Sequence, residues 1–260
     1  MARFTSTSPF STVKCAPAVT RTARVNHIER RGGDVIGRIV DCLFPRICIG
    51  CGRIGDYVCS SCAAELPWLS GPLCPHCGQP QPSGMLCPSC AAQVSTIAAI
   101  RSVFRFEGVA RVAVHELKYR NLRAIAPTLA SFLAAYPLGD TLEPDVVVPV
   151  PLHPSRRRRR GYNQAELLAR EFGRARGLPV DSSALVRIVT GRSQVRTASR
   201  RERSRNVTDA FACTERSFSD KRILLVDDVC TTGATIEACG VALRAAGASQ
   251  VVGLTVARQV

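Results

Sequence analysis

The stretch Lys221–Gly240, KRILLVDDVCTTGATIEACG, restricts the fold more than any other part of this chain. Four apolar residues, Ile223, Leu224, Leu225 and Val226, run without a break into two acids, Asp227 and Asp228. A short apolar run bounded by polar residues suits a strand buried on both faces, and hence a parallel sheet covered by helices. A small, mostly polar run follows, Val229-Cys230-Thr231-Thr232-Gly233-Ala234-Thr235, and helical spacing then extends from Ile236 to Ala246. A loop feeding a helix N-terminus presents unpaired N–H groups and the positive end of the helix dipole to an anion. Gly233 lets the backbone approach a phosphate closely, and Thr231, Thr232 and Thr235 add hydroxyl donors. The two carboxylates would repel a phosphate placed against them. They serve better as acceptors for neutral hydroxyls beside it, and a sugar phosphate meets both demands.

This stretch resembles the binding motif for 5-phosphoribosyl-1-pyrophosphate (PRPP) in the type I phosphoribosyltransferases. The resemblance implies that Asp227 and Asp228 take the ribose hydroxyls. It also implies that the loop Val229, Cys230, Thr231, Thr232, Gly233, Ala234 and Thr235 holds the 5′-phosphate.

The composition bounds what surrounds this motif. A chain of 260 residues, 46% hydrophobic and 21% charged, suits a soluble globular protein with one sizeable core and a smaller module. No apolar run approaches the ~18–20 residues of a membrane span, so no transmembrane segment is expected, and the expected location is the cytoplasm. The net charge of +15 is concentrated in the N-terminal tail and the C-terminal half. Polyanions such as PRPP or nucleic acid are natural partners for it, and an arginine-rich coding bias is the plainer explanation.

Eight of the 13 cysteines form four CxxC pairs: Cys48/Cys51, Cys59/Cys62, Cys74/Cys77 and Cys87/Cys90. In a chain without a clear secretory signal this pattern predicts structural Zn2+, one or two ions, in a reducing compartment, and not disulfides. Two CxxC turns complete one tetrahedral site, and sequential or interleaved pairing of the turns both satisfy the spacing. His76, inside the third turn, is a further candidate ligand. Closed four-thiolate sites are structural and leave no open position for catalysis. Losing Cys48 or Cys51 is then expected to unfold residues 35–97 and to leave residues 98–260 folded.

Taken in order, residues 1–34 are poor in acids and read as a disordered leader, a transit peptide or a segment upstream of the true start codon. Val35–Phe44 spaces its apolar residues as a short amphipathic helix, and residues 35–97 form the cysteine module. From Ala98 strands alternate with helices, which predicts an α/β domain over 98–260 with a largely parallel sheet. The pattern predicts strands near Ile100–Val103, Pro144–Pro149, Ala184–Val189, Val207–Cys213 and Val251–Ala257. Helices are predicted over Val109–Tyr119, Leu122–Tyr136 and Ala165–Arg176, the last closed by Gly177. Val150-Pro151-Leu152-His153-Pro154 is a stiff loop, Arg156–Arg160 a basic run, and Gly191–Asn206 a basic loop with no apolar face. Ligands in such sheets gather at the carboxyl ends of the strands, so Pro151–His153 and Asp227–Thr235 can share one crevice.

LFPRICIGCG, CSSC, HELKYR, PVPLHPSRRRRRGYNQAELLA and LLVDDVCTTGAT occur here in the order typical of ComF-family proteins. The chain is similar to that family over residues 35–260, the N-terminal extension and the five-arginine run apart. The resemblance implies a type I phosphoribosyltransferase-like domain behind a double zinc ribbon. It also implies a part in natural competence, with single-stranded DNA and the competence machinery as partners. PRPP would bind with Mg2+, its pyrophosphate against Pro151, Leu152 and His153, helped by Arg160 and Lys118. The loop Gln194–Asn206 would close over the site, and a nitrogen nucleophile would displace pyrophosphate. A catalytically silent PRPP sensor or DNA-binding factor is the alternative.

Overall fold

The computed structural model describes residues 45–138, 143–188, 210–214 and 218–260. The expected leader, the helix at Val35–Phe44 and the basic loop Gly191–Asn206 lie outside the described residues.

Each CxxC turn pair folds as a knuckle followed by a short helix, α1 (Ser60–Ala64) and α2 (Pro88–Ala91). The knuckles repeat bond for bond. Cys48 N–H donates to the Arg53 carbonyl at 2.8 Å, and Cys74 N–H to the Gln79 carbonyl at 2.7 Å. Gly52 and Gly78 close the two turns at φ 75° and 72°, a region that glycine enters without strain.

Four strands then make a wholly parallel sheet in the order β1-β6-β5-β2: β1 (Ala99–Arg105), β2 (Val146–Pro149), β5 (Arg222–Cys230) and β6 (Gln250–Arg258). β5 lies inside the sheet, and its side chains alternate between two cores. Leu224 and Val226 face α3 (Gly108–Tyr119), α4 (Ala126–Ala135) and α6 (Gln164–Arg176). Ile223 and Leu225 face α7 (Ala234–Ala245) on the other side. The unbroken apolar run is explained by that double burial. Among the described residues no helix is long and apolar enough to cross a membrane.

Three elements differ from the sequence reading. Leu185–Arg187 (β3) does not join the parallel sheet but pairs antiparallel with Phe211–Cys213 (β4), and this ribbon covers α7. The helix expected from Leu122 begins as a 3-10 turn, Arg123–Ile125, because Pro127 lacks the N–H that an α-helix interior needs and fits only its first turn. The basic run is itself helical, α5 (Pro154–Arg160), started by a proline and ended by Gly161 at φ 80°.

The cysteine module is not a separate body. Cys48, Val58, Cys62 and Leu66 belong to the same buried cluster as Phe104, Val114, Leu117 and Leu133. Trp68 packs against Phe104 at 4.8 Å with the rings tilted by 60°, and meets Phe132 edge-on at 6.0 Å between ring centres. Backbone bonds from Arg105 N–H to the Pro67 carbonyl and from Leu69 N–H to the Val103 carbonyl stitch this segment to the edge of β1.

Candidate functional site

The cysteines group sequentially: Cys48, Cys51, Cys59 and Cys62 form one cluster, Cys74, Cys77, Cys87 and Cys90 the other, with the ligand atoms of each within 4.8 Å of one another. Interleaved pairing is thereby excluded. Four sulfurs at that spacing fit a tetrahedral zinc ion, so both are structural zinc sites. Burial pushes the Cys48 and Cys74 thiols up, yet N–H donors from Cys59, Cys51 and Gly50, and from Cys87, Cys77 and His76, outweigh it and bring both to about 6. His76 is no fifth candidate. Its Nδ1 lies 3.3 Å from Cys90 Sγ, and its Nε2 donates to the Ile97 carbonyl, so it supports a ligand from outside the metal's own shell.

β5 carries both acids within the strand and ends only at Cys230. Neighbouring strand residues face opposite sides, and the acids separate accordingly. Asp228 is buried on the α3 side, where its Oδ2 lies 2.8 Å from Lys118 Nζ. That is a charge contact whose angles fall short of a hydrogen bond, and Oδ2 has no other partner. Asp227 faces the loop on the α7 side and accepts the Asp228 N–H on Oδ1 at 2.8 Å. Burial and the neighbouring Asp228 charge push the Asp227 carboxyl well above the usual carboxylate range.

The loop beyond β5 forms a small niche lined by Asp227, Val229, Cys230, Thr231, Gly233, Ala234 and Thr235. Gly233 occupies the cap position of α7 at φ 85° and has no side chain to cap the helix, and Thr232 Oγ1 accepts the Ala234 N–H at 3.3 Å. A Cβ at Gly233 would come within 2.8 Å of Ile100 Cδ1, so both the conformation and the packing require glycine. Glu237, an acid in the first turn of α7, faces away from the niche. Its carboxylate accepts Ser95 Oγ at 2.6 Å and Thr96 N and Oγ1 at 2.7 Å. The helix end is left positive and open to an anion.

Across the sheet edge, Val150 N–H donates to the Val226 carbonyl at 3.0 Å, and the buried Asn163 amide donates to the Val150 carbonyl at 3.0 Å. These bonds bring Pro151, Leu152 and His153 to the same end of the sheet as the niche. His153 caps α5, its Nδ1 accepting Ser155 N–H at 3.2 Å, an architectural role. Arg160 hydrogen-bonds Gln164 and lies over the Tyr119 ring at 5.4 Å, and Arg123 lies over Tyr162 at 4.4 Å. With Lys118, Asn121 and Arg159 these residues line a cleft of ≈ 660 Å³. Lys118, expected toward pyrophosphate, is thus the contact between this cleft and Asp228.

Sequence reasoning missed several of these residues. Tyr119, Arg123 and Tyr162 are ordinary helix and turn residues until the fold joins them, and Glu237 reads as a dipole-stabilising acid until Thr96 meets it. Arg258, at the end of the last strand, gave no signal at all. It is 2% exposed.

A parallel sheet whose inner strand carries an acid pair shortly before a loop and a glycine-capped helix is the architecture of the type I phosphoribosyltransferase class, and here a double zinc ribbon is docked on one edge of it. Family comparisons agree. A double zinc ribbon domain matches residues 39–91, and a phosphoribosyl transferase domain matches residues 120–259. Competence protein F of Haemophilus influenzae is 31% identical over 202 residues, covering 75% of this chain and 87% of its own. The DNA utilization protein YhgH of Salmonella typhi is 33% identical over 187 residues, covering 69% and 80%. Competence protein ComFC of Bacillus subtilis is 29% identical over 190 residues, covering 70% and 75%. The chain belongs to the ComF family of phosphoribosyltransferase-domain proteins.

Proposed function

We propose that this protein binds PRPP with Mg2+ at the β5–α7 loop and single-stranded DNA along the adjoining basic cleft, in the cytoplasm, as part of DNA uptake or use. The observation that carries the reading is the glycine-capped start of α7 beside Asp227, since it offers N–H donors and a carboxylate acceptor within one niche. The N–H groups and hydroxyls of Thr231–Thr235 would hold the 5′-phosphate and Asp227 the ribose hydroxyls, with Asp228 turning to them from its contact with Lys118 when PRPP binds. Pyrophosphate would lie toward Pro151–His153 and Arg160. Mg2+, which favours substrate phosphates and few protein ligands, would arrive with PRPP. The reaction in view is transfer of phosphoribose to a nitrogen nucleophile with release of pyrophosphate, driven by positioning and electrostatic stabilisation of a cationic sugar. The relatives named for competence and DNA utilization supply the physiological setting.

Calorimetry with Mg2+ and PRPP, followed by a screen for pyrophosphate release with nucleobases, ammonia and nucleotides, tests the two halves of this reading. Absence of PRPP binding would remove it. Binding without release for any acceptor would leave a PRPP-responsive binding protein of the competence machinery.

The cleft supports the DNA half. Lys118, Arg123, Arg159 and Arg160 surround the exposed Tyr119, a combination of cations and a stacking surface that suits single strands, while Tyr162 is buried beneath Arg123. Arg156, Arg158 and Arg159 are exposed and make no ion pair among the described residues, whereas Arg157 reaches Glu166 at 3.4 Å. Replacing Arg156–Arg159 with Ser is expected to flatten the salt dependence of oligonucleotide affinity, each lost phosphate contact reducing the log–log slope by roughly 0.7. An unchanged slope would place the DNA surface elsewhere.

A further inference from the structure

Among the described residues Arg258 is the largest fully buried side chain, no acid pairs with it, and its Nε has no hydrogen-bond partner. Its two other nitrogens reach opposite ways. Nη1 donates to Cys230 Sγ at 3.0 Å, in the loop of the PRPP niche. Nη2 donates to Gln79 Oε1 at 3.5 Å, in the second zinc knuckle. Gln79 in turn holds that knuckle, its carbonyl accepting Cys74 N–H at 2.7 Å and its own N–H donating to the Cys77 thiol.

A guanidinium removed from water without a counter-charge is strongly unfavourable. Asp227 exerts a field on Cys230 along with Arg258, but burial disfavours the charged form of that carboxyl. Gln79 follows Cys77 by two residues and its carbonyl accepts the Cys74 N–H, so Arg258 Nη2 reaches into the turn that holds the second cysteine cluster. Four thiolates around Zn2+ carry a charge of roughly −2, enough to balance Arg258 and to spare. The first knuckle has Arg53 where the second has Gln79, and Arg53 is exposed. The bridge is therefore a property of the second site alone.

A second contact runs in parallel. Ile100 N–H donates to the His76 carbonyl at 2.7 Å, and Gly78 lies so close that a Cβ there would come within 2.7 Å of the Ile100 carbonyl oxygen. The other end of Ile100, Cδ1, packs under Gly233 in the phosphate loop. One side chain thus touches the loop while its backbone is pinned to the knuckle.

We propose that the second zinc centre, Cys74/Cys77/Cys87/Cys90, is the buried counter-charge and the floor of the PRPP loop, with Arg258 as the positioning residue that couples them, so that filling either site stabilises the other. The coupling to PRPP rests on the reading of the niche given above. Reciprocity follows from linkage: whatever zinc does for PRPP affinity, PRPP does for zinc retention.

The test uses the full-length zinc-loaded chain, a zinc-selective chelator and N-ethylmaleimide, with mass spectrometry of the Cys74–Cys90 and Cys48–Cys62 peptides as separate readouts. PRPP with Mg2+ is expected to slow alkylation of Cys74–Cys90 about fivefold or more and to leave Cys48–Cys62 unchanged. Arg258→Gln is expected to speed alkylation of Cys74–Cys90 alone and to abolish the protection, with Arg258→Lys restoring part of both. Should calorimetry find no PRPP binding to the wild type, the reading of the niche fails by itself. The Arg258→Gln arm then decides the bridge on zinc retention: selective loss from Cys74–Cys90 supports it, and no change, or equal change at both sites, overturns it. Protection missing in a wild type that does bind PRPP also overturns it. If Arg258→Gln does not fold, Gln79→Ala, which keeps the cation and removes one contact, is read in the same way with the same outcomes.

Discussion

Asp227→Asn and Asp228→Asn are each expected to weaken PRPP binding about tenfold to a hundredfold, and the double variant to abolish it. A hydrogen bond to a charged acceptor contributes roughly 1.5–3 kcal/mol, and each ~1.4 kcal/mol is a factor of ten in affinity. Losses that share one ligand need not add. The two variants differ in what they do to the empty protein. Asp228 neutralises Lys118, whose side chain is 19% exposed, so Asp228→Asn leaves a poorly solvated ammonium unpaired and lowers the melting temperature. Asp227→Asn is expected to raise it at neutral pH. A carboxyl whose pKa is raised on folding favours the folded state while protonated, and that advantage fades as pH climbs through the folded-state value. Wild type and Asp227→Asn should therefore melt alike in acid, below the ordinary carboxylate range, and diverge as pH rises to neutrality, the variant above. A variant that is more stable yet binds PRPP far less would identify Asp227 as a group held in an unfavourable state for its ligand. Equal affinities for wild type and the double variant would mean that the site is not at this loop.

How much of this was legible in the sequence depended on whether a signal was local. The β5 run, the loop and α7 are contiguous, and apolar spacing, two acids and a threonine-rich turn sufficed to place them. The CxxC pairs were equally plain, although only the fold could decide between sequential and interleaved grouping. Relations across the chain were hidden. Asp227 and Asp228 look equivalent in sequence, and strand alternation sends one to the niche and the other to Lys118, a residue more than a hundred positions earlier. The partnership of Arg258 with Gln79 spans most of the chain. A final-strand arginine carries no periodic or compositional mark that distinguishes it from an exposed one. The short strand β3 is legible as a strand but its partner is not, because three residues cannot show whether they pair with the main sheet or with β4. The pairing depends on where Phe211 returns, which no local pattern encodes.

Cys51→Ser is expected to destabilise the whole described protein and not only the first knuckle. The sequence alone favoured a module that could unfold by itself, since four thiolates and one zinc ion make a small closed unit. The structure places two of those ligands, Cys48 and Cys62, in the cluster that also holds Phe104, Leu117 and Leu133. Cys51 itself is exposed, so its replacement removes a ligand and takes nothing from that core. Structural zinc contributes about 10–16 kcal/mol of apparent binding energy in small zinc domains. A domain's net stability is about 5–15 kcal/mol, so even a fraction of the zinc term, transmitted through a shared core, is enough to lower the melting temperature by many degrees. Trp68, the one tryptophan of the chain, reports on the junction because it packs between Phe104 and Phe132. Metal analysis should give about two zinc ions for the wild type and about one for the variant. Tryptophan fluorescence and far-ultraviolet circular dichroism should fall together in a single transition for both proteins, at a lower temperature for Cys51→Ser. A variant that loses its first zinc while the backbone signal melts where the wild type does would show that the knuckle and the sheet are separable, and that the shared core contributes little.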